Sequence, residues 1–91
     1  MTTTEATKTN PEDLEAIRMK AQTMIDLLQI IADTADKVGK TVKAWRARRA
    51  IFNLRQGVDR AECEDYDSAA LYFEKAREYM NALTAGQEAR A

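Results

Sequence analysis

The chain has 91 residues, 45 % hydrophobic and 32 % charged, with a formal net charge of −1. That is enough for one small domain, and too apolar for a chain that stays unfolded. With no histidine, one cysteine and three glycines, it excludes an internal disulfide and offers little side-chain chemistry, so function is expected from surfaces.

Residues 1–9 are polar and Thr-rich and read as a disordered arm without the apolar core of a signal peptide. No apolar run approaches the ~18 residues that would span a bilayer. A lone cysteine, Cys63, fits a reducing compartment. The expectation is a cytoplasmic protein, whether encoded by a cell, a phage or a plasmid, with no cofactor.

Asn10, Pro11, Glu12 and Asp13 predict a helix start. Asn accepts orphan N–H bonds, Pro lacks the donor that would go unpaired, and the carboxylates favour the positive end of the dipole. From there Leu14, Ile17, Ala21, Met24, Leu28, Ile31, Ala35, Val38, Val42 and Trp45 follow alternating three- and four-residue steps. This is the spacing of a helix that presses one face against another. Helix 1 is expected over residues 11–38. Its middle is apolar beyond that seam, because Ile25, Leu27 and Ile30 lie beside or past it. A short chain buries only about 60 % of its unfolded surface. A homodimer or higher homo-oligomer is therefore expected, packed through Met24, Ile25, Leu27, Leu28 and Ile31.

Gly39 is a candidate break. After Trp45 the apolar seam changes phase and continues as Ala44, Ala47, Ile51, Leu54, Val58 and Ala61. The step from Trp45 to Ala47 turns the face by about 200°, which a straight helix would have to show as a swap of sides. A turn near Val38–Thr41, with helix 2 over residues 41–62, accounts for both observations.

Helix 3 is expected over residues 66–84, after the acidic caps Asp65 and Asp67. Its seam is Ala69, Phe73, Ala76, Met80 and Leu83, with Tyr72 and Tyr79 alongside. Gly86 is the expected stop and residues 85–91 a frayed tail. Residues 10–84 then form a single all-α domain, a three-helix up-down-up bundle with coiled-coil-like packing.

Gly57 and the run from Asp65 to Ala76 carry a further pattern. Gly57, Ala69, Phe73 and Ala76 stand 12, 4 and 3 residues apart, with an Asp-Tyr turn between. In these residues, within 57–76, the segment resembles part of a single tetratricopeptide repeat. The resemblance implies two antiparallel helices in close approach. It departs from the family at Asn53, Gln56 and Arg60, where the repeat has apolar or aromatic residues, and no proline follows the second helix.

Charge is unevenly placed. Residues 1–36 and 61–91 each net −4, whereas residues 37–60 hold eight basic groups against Asp59 alone. Such a chain can neutralise itself by folding back or present a basic belt to an acidic partner. Within the belt, Trp45, Arg48, Arg49, Phe52 and Arg55 form an aromatic–arginine stripe. Two further readings stand beside a partner site. Trp45 and Phe52 can widen the core against helix 1, or the stripe can stack on bases and neutralise phosphates. The pI near 5.4 opposes a nucleic-acid role.

Three other patterns carry no chemistry. Gly39-Lys40-Thr41 matches the end of a phosphate-binding loop, but Thr34 stands where its first glycine belongs and a helix precedes it. Glu62, Glu64, Asp65 and Asp67 lack the central glycine of a cation loop and read as caps. Cys63 has no activating neighbour in sequence and reads as a small, partly buried residue. No enzyme is expected. The function expected is a small protein-protein interaction module — an adaptor, inhibitor or assembly factor. A nucleic-acid accessory protein and a purely structural coiled coil are the alternatives.

Overall fold

A computed structural model of the protein describes the backbone of residues 11–90 and the side chains of residues 13–84. The expected arm, the Asn10 cap and the side chains of the expected tail lie outside the described residues. Three helices follow one another, α1 (Pro11–Lys37), α2 (Thr41–Glu62) and α3 (Tyr66–Arg90), and no strand occurs among the described residues. The architecture is the up-down-up arrangement of three helices.

Both connections are short because each helix is stopped by its own backbone. At the end of α1, Gly39 takes a φ of +78°. Its N–H donates to the Asp36 carbonyl at 3.1 Å, while the Lys40 N–H reaches the Ala35 carbonyl at 2.8 Å. This is the paired closure of a left-handed helix cap, which satisfies carbonyls that the helix itself leaves open. The end of α2 repeats it with Glu64, at a φ of +61°, in place of glycine. There the Glu64 N–H donates to Ala61 and the Asp65 N–H to Arg60. The Asp65 carboxylate then accepts the Ser68 N–H at 3.3 Å and starts α3.

α2 is the shared partner. It packs against both neighbours, whereas α1 and α3 make no close backbone approach to one another. Its buried residues accordingly occupy two faces, with Ala50, Asn53 and Gly57 joining the expected Ala44, Ala47, Ile51, Leu54 and Ala61. The fully enclosed apolar side chains, Ala32, Ala47, Ala50 and Ala76 at 0 % exposure, are all alanines. Small side chains at the contact lines let the helix axes come close, and Ile25, Leu28, Ile51 and Leu54 complete the core.

On α1 the seam holds from Ala21 to Ala35 and ends there. Val38, Val42 and Trp45, expected to continue it, are 63, 58 and 55 % exposed. The turn at Gly39 redirects the chain, so the face that α1 packs inward is not continued by Val42 and Trp45 on α2. The α1–α2 hairpin is tied near both ends by ions. Arg18 Nε lies 2.7 Å from Glu62 Oε2, and Arg48 is hydrogen-bonded to Asp36 with Asp33 at 3.9 Å. Two of the chain's acidic stretches thus neutralise cations by folding back. α3 continues past Gly86 to Arg90, beyond the expected stop.

Candidate functional site

Successive turns of α2 carry Trp45, Arg49 and Phe52 on one flank, and α3 places Tyr79 beside them. The Trp45 and Tyr79 rings meet edge to face, their centroids 5.7 Å apart at an interplanar angle of 84°. The Arg49 guanidinium lies 5.2 Å from the Phe52 centroid and 6.0 Å from that of Tyr79. Its Nε is enclosed and has no hydrogen-bond partner among the described residues. Aromatic faces, not carboxylates, therefore hold this cation. A guanidinium stacked on a ring can still donate N–H bonds in its own plane.

Beneath this cluster sits Asn53, the one buried polar side chain among the described residues. Its Nδ2 donates to the Arg49 carbonyl at 2.8 Å, which satisfies the amide through the backbone of the residue it supports. A shallow depression extends from here onto α3, between Phe52, Leu71, Tyr72 and Lys75. Phe52 and Leu71 remain 46 and 67 % exposed on its rim.

The five-residue stripe read from the sequence is split by this geometry. Trp45, Arg49 and Phe52 share the α3 side. Arg48 turns toward α1, where the hydrogen bond to Asp36, with the charges of that carboxylate and Asp33, raises its pKa against a smaller effect of desolvation. Arg55 also faces α1, beside Arg18, Gln22 and Asp59. The cause is helical pitch. At about 100° per residue Arg48 and Arg55 lie roughly 60° and 80° to one side of Trp45, toward α1, while Arg49 lies roughly 40° to the other. Tyr79 and Leu71 complete the face but come from another helix, so spacing along α2 held no sign of them.

The residues expected to mediate self-association are divided as well. Ile25 and Leu28 are 6 and 4 % exposed and sit in the core, and Met24 and Ile31 pack on its edge. Leu27 points away and is 57 % exposed. Between α1 and α3 lies an apolar groove floored by Leu54, with Met24, Phe73 and Met80 on its walls. Cys63, expected to be partly buried, is exposed. Of the acidic cluster, Glu62 pairs with Arg18 and Asp65 caps α3. Among the described residues no group of three or more His, Cys, Asp or Glu side chains converges as metal ligands would, and no helix is long and apolar enough to cross a membrane.

No family model, curated protein or solved structure matches this chain. The site is therefore read from its geometry alone.

Proposed function

We propose that this chain is a protein-binding module whose contact face is the aromatic–arginine cluster of α2 and α3. The observation that carries this reading is the exposure of Trp45 and Phe52, 55 and 46 %, on either side of an arginine already ordered by aromatic rings. Trp, Tyr and Arg are the residues that most often dominate binding energy in protein interfaces. Here the rings hold one another and Arg49 before a partner arrives, which lowers the entropy lost on docking. The partner protein is one that offers an apolar anchor and an acceptor for Arg49, and the chain acts as an adaptor, inhibitor or assembly factor. Work inside the cell suits the exposed Cys63, which a reducing compartment keeps as a thiol.

A nucleic-acid role has less support. Arg48 is engaged by Asp33 and Asp36, and Arg55 faces α1. Arg49 and Lys75 are the cations left at the aromatic depression, few for phosphate-driven binding.

Trp45 is the single tryptophan, so its emission reports this face directly. The experiment is to photo-crosslink the full chain from position 52, identify the captured protein, and titrate it in purified form. The expected result is a saturable blue shift of Trp45 emission, with Arg49→Ala weakening binding about tenfold or more at unchanged helicity. Binding that leaves Trp45 emission unaltered and ignores Arg49→Ala sinks the proposal. Salt-sensitive quenching by oligonucleotides, with no protein captured, installs the nucleic-acid reading instead.

A further inference from the structure

The core opens to solvent along one line. α1 and α3 both lie on α2 and run in the same direction, which leaves a groove between them over Leu54. Its two walls repeat one pattern. α1 supplies Ile17, Lys20 and Met24, and α3 supplies Phe73, Arg77 and Met80. Each wall is therefore an apolar pair two helical turns apart with a cation between. The four apolar side chains are only half-buried, and Met24, Phe73 and Met80 already rest on the core with their other side bare.

The form and charge of the groove say what fills it. It holds about 270 Å³ and is open along its outer side, less than the roughly 300–1,000 Å³ of sites that enclose a small ligand. A channel between two helices, with apolar positions seven residues apart on each wall, matches the face of another helix, whose anchors recur at i, i+3 or i+4, and i+7. Methionine on both walls suits such a contact, because its unbranched side chain adapts to the anchor it meets. Lys20 and Arg77 have no carboxylate within ion-pairing distance among the described residues. The acids of the same helices lie elsewhere. Glu74 and Glu78 wind to the far side of Arg77 from Phe73 and Met80. Asp13, itself engaged, is about 10 Å along α1 from Lys20.

We infer that this groove receives one amphipathic helix of a partner protein, its apolar stripe flanked by carboxylates on both sides. The stripe covers Leu54 and the four wall residues, and each acidic flank meets one cation, as flanking charges do in paired helices. The bound helix becomes the fourth of a bundle. Leu54 stands about 180° around α2 from Trp45, so the groove and the aromatic face do not compete, and the inference does not rest on the reading of that face.

The test is selection on the full chain from a library of helical peptides. Leucine is fixed at i, i+4, i+7 and i+11, and Glu, Gln or Lys is randomised on both flanks of that stripe. The selected peptides should carry Glu on both flanks. Their binding should move the methyl resonances of Met24 and Met80 and leave that of Met19, which is exposed on another side of α1. Lys20→Glu with Arg77→Glu should keep the helicity, since both side chains are exposed. The pair should weaken the selected peptide about tenfold or more, and a repeated selection on that variant should return Lys on the flanks. No binder, binders without a charge preference, or binding that leaves Met24 and Met80 unmoved overturns the inference. So does decanoate that displaces the selected peptide and moves both methyls at lower concentration, which would make the groove a fatty-acid site.

Discussion

Gly57 on α2 and Phe73 on α3 occupy the same space: a Cβ built on Gly57 would lie 2.5 Å from Cε1 of the Phe73 ring. The glycine is helical, so alanine would ordinarily add about 1 kcal/mol of helix propensity. Here the ring would have to leave its seat against the core, and that cost is larger. Gly57→Ala should lower stability by about 1–2 kcal/mol in urea unfolding. In a Phe73→Leu background the same substitution should be neutral or stabilising. Equal effects in both backgrounds would show that the ring is not the obstacle.

The two left-handed caps predict opposite responses. Nothing lies within 4 Å of a Cβ added at Gly39, so the cost of Gly39→Ala is conformational alone, about 1 kcal/mol. Glu64 bears the same strain with a side chain, at φ +61°, and Glu64→Gly should gain about 0.5–1 kcal/mol. Thermal unfolding of the two variants should therefore shift to either side of wild type. Shifts of one sign for both would contradict the cap assignment.

Alanine at the contact lines sets the helix spacing, and enlarging it should be costly only there. Ala47, fully enclosed, should lose about 1–3 kcal/mol on replacement by leucine. Ala70, exposed on α3, should change by no more than about 0.5 kcal/mol with the same replacement. Guanidinium unfolding midpoints decide between this contrast and a core that yields freely at both positions.

The Arg48 pair predicts a flat pH response. Its folded-state pKa is raised by the hydrogen bond to Asp36. The stabilisation linked to that shift is complete below the ordinary arginine value, and is lost only as pH rises through the raised one. Between pH 6 and 9, which is far below either value, Arg48→Gln should cost the same small amount at each pH. A loss that grows steadily across this interval would assign the pair's contribution to another group.

Helix order, the Gly39 turn and the bounds of α2 were legible because they depend on local chemistry. Gly39 breaks the pattern, and the phase step between Trp45 and Ala47 can be counted along one strand of sequence. The second buried face of α2 was legible only at Gly57, through its spacing to Ala69, Phe73 and Ala76. Ala50 and Asn53 look like ordinary helix-surface residues until α3 is laid against them. For the same reason the arginine stripe was read as one surface. Which side of α2 Arg48 and Arg55 join depends on where α1 lies, and spacing along α2 does not contain that. Leu28 stands on the seam and Leu27 beside it, but that Leu28 is buried within the chain while Leu27 stays exposed depends on where α2 lies.

Because the backbones of α1 and α3 each approach α2 closely and not one another, the molecule is joined in series. Each hairpin closes a short loop of chain, so the search for contacts is brief and folding should be fast. Each outer helix should therefore be able to open while the backbone pairing of the other with α2 persists. Amide exchange should then resolve two opening events of different free energy, with the slowest-exchanging protons confined to α2.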